Sequence, residues 1–136
     1  MAYLVGIVLA VSSVALSRLA GLDRDRAFYP TILIVIASYY VLFAVMGAST
    51  RALIVESVVM TAFVGVAVAG FKLNLWLVVA ALAAHGVFDL VHGYIVTNPG
   101  VPAWWPPFCF AYDLIVAGAL AWIVRRGRSA VGAPTD

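Results

Sequence analysis

The chain has 136 residues, 65% of them hydrophobic and only 10% charged, with 8 Lys/Arg against 6 Asp/Glu. Soluble domains carry about 25% charged and about 45–50% apolar residues. A mean hydropathy of +1.11 therefore excludes an ordinary soluble globule, a disordered chain and a nucleic-acid binder with a basic face. A formal charge of +2 is too mild to call for a polyanionic partner. The single cysteine, Cys109, leaves no internal disulfide and no cysteine-rich metal site. What fits is an all-α fold, a polytopic transmembrane helix bundle in contact with the lipid bilayer.

A spanning helix takes about 20 mostly apolar residues. Five stretches approach that length: residues 1–17, 28–47, 52–70, 73–94 and 108–124. Residues 1–17 lack a basic segment before the apolar run and a small-x-small cleavage site after it, so they read as a retained helix rather than a signal peptide. Four spans would remain if they did not cross. Pro30 opens the second stretch, where a first helical turn tolerates proline. The breaks are a charged loop at 18–26, a polar turn at 48–51, a tight turn at Phe71-Lys72 and an uncharged loop at 95–107. No repeat or second domain is visible. Residues 1–124 read as one transmembrane domain, and 125–136 as a mobile cytoplasmic tail.

The basic residues orient the bundle. With five spans, Arg18, Arg24, Arg26, Lys72, Arg125, Arg126 and Arg128 share one side and Arg51 stands alone on the other. The positive-inside rule then puts the N-terminus outside and the C-terminus in the cytoplasm. Trp104-Trp105 and the prolines around them fall at the outer interface, as an aromatic belt or as a lid.

Three of the six acids, Glu56, Asp89 and Asp113, and both histidines, His85 and His92, fall inside spans. An ionisable group at a helix centre costs at least about 2.5–3.5 kcal/mol, so it tends to face the bundle interior and to serve a function. Counted at 1.5 Å per residue, the three acids come out about 8–9 Å below the outer face, each on a different helix. At about 100° per residue, His85, Asp89 and His92 form one stripe. Together with Glu56 and Asp113 they make a two-histidine, three-carboxylate set, an N/O donor inventory suited to zinc, iron or manganese. Nothing indicates haem or a nucleotide. The structural alternative is a hydrogen-bonded cluster that only fixes helix packing. Cys109, Tyr39, Tyr40 and Tyr112 carry lower weight, as packing residues that could also reach the cluster. Asn98-Pro99-Gly100 reads as a turn.

The string His85-Gly86-Val87-Phe88-Asp89-Leu90-Val91-His92 resembles small bacterial integral-membrane proteins of unknown function. So do Asn98-Pro99-Gly100-Val101-Pro102, Trp104-Trp105-Pro106-Pro107-Phe108-Cys109 and Ala27-Phe28-Tyr29-Pro30-Thr31. The resemblance implies a bacterial inner-membrane location and no particular activity. Three functions suit the residues. One is a metal-dependent membrane enzyme, a hydrolase or oxidoreductase, acting on a lipid-like substrate. There His85, Asp89 and His92 hold the metal, and Glu56 or Asp113 is a further ligand or the general base. The second is a metal-ion or proton binding or transport protein, and the third an accessory subunit. So few helices leave much lipid-facing surface, which would suit a homodimer.

Overall fold

A computed structural model of the chain describes residues 1–127. Five helices follow one another: α1 (Ala2–Ala20), α2 (Phe28–Met46), α3 (Thr50–Lys72), α4 (Trp76–Ile95) and α5 (Trp105–Arg125), with a 3₁₀ turn (Leu22–Arg24) between the first two. Among the described residues there is no strand. All five helices, of 19 to 23 residues, are long and apolar enough to cross a membrane. The expected five-span, all-α bundle is what forms. Most of the expected tail, residues 128–136, lies outside the described residues.

The helix ends follow local chemistry. Gly21 closes α1 in the left-handed conformation (φ 76°), where its N–H bonds back to the Arg18 and Ser17 carbonyls. Ser49 caps α3 through a hydrogen bond from the Ala52 N–H. Two ends shift from the sequence reading. Pro106 and Pro107 lie inside the first turn of α5, because the first N–H groups of a helix have no intrahelical acceptor and proline forfeits nothing there. Phe71 and Lys72 complete α3, and the turn falls at residues 73–75, where the Asn74 side chain accepts from the Trp76 N–H.

The helices are not equally central. About 40% of α2, α4 and α5 is buried against other helices, against 17% of α1 and α3, so the first three make the core and the other two flank it. Close packing joins α1 to α5, α5 to α4, α4 to α3, and α3 and α4 to α2. Gly6 permits the first of these contacts, since a Cβ there would lie 2.3 Å from the Phe108 carbonyl oxygen. Leu33, Tyr40, Val78, Leu82, Val116 and Leu120 fill the core.

The two ends of the bundle differ. At one, Arg18 and Arg126 each place their guanidinium 4.2 Å from the Trp122 ring centre, and Arg26 donates to the Gly70 and Phe71 carbonyls at the end of α3. At the other, the 96–104 loop folds onto the end of α2. Gly100 is required there: a Cβ would fall 1.8 Å from the Phe43 carbonyl oxygen.

Candidate functional site

The five ionisable residues singled out in the sequence are all buried. Asp113 is 0% exposed, His85, Asp89 and Glu56 are 1%, and His92 is 2%. The stripe of His85, Asp89 and His92 on α4 faces inward as its spacing required. Glu56 reaches it from α3 and Asp113 from α5, so three helices converge.

They converge in two tiers, one about each histidine of the stripe. In the deep tier, His85 Nδ1 lies 2.8 Å from Asp113 Oδ2 and 3.5 Å from Asp89 Oδ2. One nitrogen and two carboxylate oxygens thus point at a common space, each within 4.8 Å of the others. In the outer tier, nearer the 96–104 loop, His92 Nε2 lies 2.7 Å from Glu56 Oε1. His85 and His92 are seven residues apart, two turns or about 10 Å along α4. Gly86 lets α5 come close beside the deep tier, since a Cβ there would lie 3.3 Å from the Asp113 Cβ.

Tyr40 joins the tiers. Its hydroxyl donates to Asp89 Oδ1 at 2.6 Å, and its ring stacks on His92 with centres 4.0 Å apart. Of the tyrosines near the site, this one bonds to a carboxylate. Asn98 was legible only as a turn residue, yet it is 9% exposed and donates from Nδ2 both to Glu56 Oε1 and to the Tyr40 carbonyl, each at 3.0 Å. Its Oδ1 accepts from the Gly100 N–H, so the turn itself aims the amide inward. Phe63 on α3 sets its edge against His85 (4.8 Å), and Phe88 sets its edge against His92 (5.4 Å). These aromatic walls exclude water from both imidazoles.

The accounts of hydrogen bonds differ between tiers. Glu56 Oε1 receives two partners and Oε2 none. In the deep tier two carboxylates share one imidazole nitrogen, and Asp89 Oδ2 and Asp113 Oδ1 are buried with no hydrogen bond. Glu56 and His92 can close on themselves as one acid and one base. Asp89, Asp113 and His85 are two acids and one base, so both acids ionised leave a net negative charge even with His85 protonated.

Other residues named in the sequence fall away from the cluster. Arg51 stays exposed at the start of α3, while Glu56 takes His92 and Asn98. Trp105 is buried against Tyr39 and Phe43, with ring centres 4.8 and 4.9 Å away, whereas Trp104 is exposed. Cys109, Tyr39 and Tyr112 line a separate apolar cleft between α2 and α5. No protein-family model, curated protein or solved structure matches this chain.

Proposed function

We propose that this multi-pass membrane protein binds one divalent metal ion through His85, Asp89 and Asp113. The observation that carries this reading is the convergence of one imidazole and two carboxylates in a buried space, with one oxygen of each carboxylate, Asp89 Oδ2 and Asp113 Oδ1, left without a hydrogen bond. Zinc and similar ions sit about 2.0–2.2 Å from nitrogen and oxygen donors, which places two ligands of one ion about 3 Å apart. The separations from His85 Nδ1, 2.8 and 3.5 Å, bracket that value. A cation would replace the proton held between His85 and Asp113 and neutralise the excess acid. One histidine and two carboxylates favour zinc, iron or manganese, and three protein ligands leave a coordination position open for water or substrate. Tyr40 holds Asp89 by its other oxygen, as partners of metal ligands commonly do.

An open coordination position suits a metal-dependent enzyme acting on a lipid-like molecule. The distribution of basic residues supports an orientation with the N-terminus outside and this centre toward the outer face, and the location we propose is a bacterial inner membrane. A reporter fused after Val124 should then read cytoplasmic; a periplasmic signal reverses the orientation. The metal reading is tested by elemental analysis of detergent-purified protein loaded separately with zinc, manganese and iron(II). About one ion per chain is expected, absent in Asp89→Asn and Asp113→Asn. Failure of all three metals to bind sinks it.

A second reading has its own support. Glu56–His92, Tyr40–Asp89 and His85–Asp113 form a string of contacts along α4 suited to storing or passing protons. Proton uptake by proteoliposomes, abolished in Glu56→Gln and unaffected by chelators, would favour it over the metal.

A further inference from the structure

The end of the bundle away from the 96–104 loop carries charge that the proposed metal centre does not use. Arg18, Arg24, Arg26, Lys72, Arg125 and Arg126 lie there, at the ends of α1, α3 and α5 and in the turn before α2. Among the described residues only Asp23 and Asp25 face them. Asp25 accepts from the Ala27 N–H at 2.8 Å, so one of the two acids is already engaged. Arg26 is spent on the last carbonyls of α3, and Arg125 sits 5.8 Å from the Trp76 ring centre.

Arg18 and Arg126 are placed differently. One comes from the last turn of α1 and the other from the end of α5, two closely packed helices. Both guanidiniums rest on the same ring, that of Trp122, each 4.2 Å from its centre. Their centres therefore lie at most twice that distance apart. Attraction to the ring draws on the positive charge and leaves the N–H donors available for an anion. Arg–phosphate bonds run about 2.8 Å from nitrogen to oxygen, so guanidinium carbons within about 8 Å of each other can share one phosphate. Two like charges this close repel, and Asp23, 3.8 Å from Arg18 Nε, offsets only one of them. Arg126 has no acidic partner among the described residues. Both side chains can be reached from outside: Arg126 is exposed, and the Arg18 side chain is 35% exposed.

We infer that Arg18 and Arg126, steadied by Trp122, bind the phosphodiester of one anionic glycerophospholipid. Trp122 lies in the last turn of α5, at the level where hydrocarbon gives way to headgroups. Basic sites between spanning helices at that level take anionic headgroups. Leu16 and Leu19 beside Arg18 are exposed and offer apolar surface to the lipid's chains, which a free phosphate would not need. The surplus of bases around the pair repels a choline and accepts an uncompensated phosphate, so the class is anionic rather than zwitterionic. This site lies at the opposite end from the 96–104 loop and rests on neither the metal nor the direction in which the chain crosses the membrane.

The test uses full-length protein in detergent, titrated with phosphatidylglycerol or with phosphatidylcholine and read by native mass spectrometry. Phosphatidylglycerol should bind about tenfold more tightly, one molecule per chain before any further lipid. Arg18→Gln and Arg126→Gln should each weaken it about tenfold, the loss of one charge-assisted contact. Arg24→Gln removes the same charge from the same end, at an exposed position away from the ring, and should cost less than about twofold. An equal loss in Arg24→Gln would overturn the site in favour of diffuse attraction. Equal affinity for the two lipids would overturn the anionic assignment. An excess of inorganic phosphate should leave phosphatidylglycerol bound; displacement by it would assign the arginines to a free anion and overturn the lipid.

Discussion

The two tiers on α4 are built from the same residue types and have opposite balances. In the outer tier Glu56 meets one histidine and one amide, so the acid has a matching base and a second donor. In the deep tier Asp89 and Asp113 contend for one nitrogen of His85. A buried pair whose groups answer one another fixes structure, and breaking it by removing one partner is costly. A buried group with one acid too many has reason to hold a cation. The comparison separates residues that hold the bundle together from residues that await a ligand, although the sequence presents all five alike.

Substitutions should therefore have opposite signs in the two tiers. The largest loss is expected for His92→Ala, which leaves Glu56 buried with only Asn98: about 3 kcal/mol of stability in metal-free protein, read by a reversible unfolding titration in detergent. A cost below that of an ordinary surface change would show that the outer tier is not structural. Next comes Gly100→Ala, whose Cβ would meet the Phe43 carbonyl and push the 96–104 loop away from α2. It should lose about 1–3 kcal/mol and withdraw Asn98 from Glu56, seen as faster amide exchange at residues 96–101. Asp113→Asn should go the other way. It removes the surplus acid but keeps an acceptor for His85, so metal-free protein should gain about 1 kcal/mol while losing its ion. A loss of stability as large as that of His92→Ala would erase the distinction between tiers. The smallest effect is expected for Tyr40→Phe. Loss of one hydrogen bond inside the bundle costs about 0.6 kcal/mol, whereas metal affinity should fall about tenfold because Asp89 is no longer held by its other oxygen. Isothermal titration with zinc measures the second quantity independently of the first.

Much of this is legible in the sequence alone. Spans of apolar residues locate five helices because a bilayer leaves few alternatives to a helix of that length. The stripe of His85, Asp89 and His92 is legible because 3.6-residue periodicity fixes which side chains share a face. Division into tiers was not, since it depends on how far α3 and α5 slide against α4, and sliding is set by contacts such as Gly86 against α5. Asn98 was hidden for a related reason: a turn signal says that the chain reverses there, not that the turn folds back over the buried end of α2. Tyr40 and Tyr39 are adjacent in sequence, and about 100° of helical rotation sends one to Asp89 and the other to the lipid-facing cleft. The cleft between α2 and α5 reflects a pair of helices that do not pack closely, which no local pattern encodes.

The most direct test of the contrast is metal occupancy in two single variants compared side by side. Wild-type protein, His85→Ala and His92→Ala are purified in the same detergent, loaded with the same divalent ion, desalted and assayed for metal per chain. The account predicts about one ion in wild type and in His92→Ala, and none in His85→Ala. Equal loss of the ion in both variants would contradict the two-tier assignment and return all five residues to a single site.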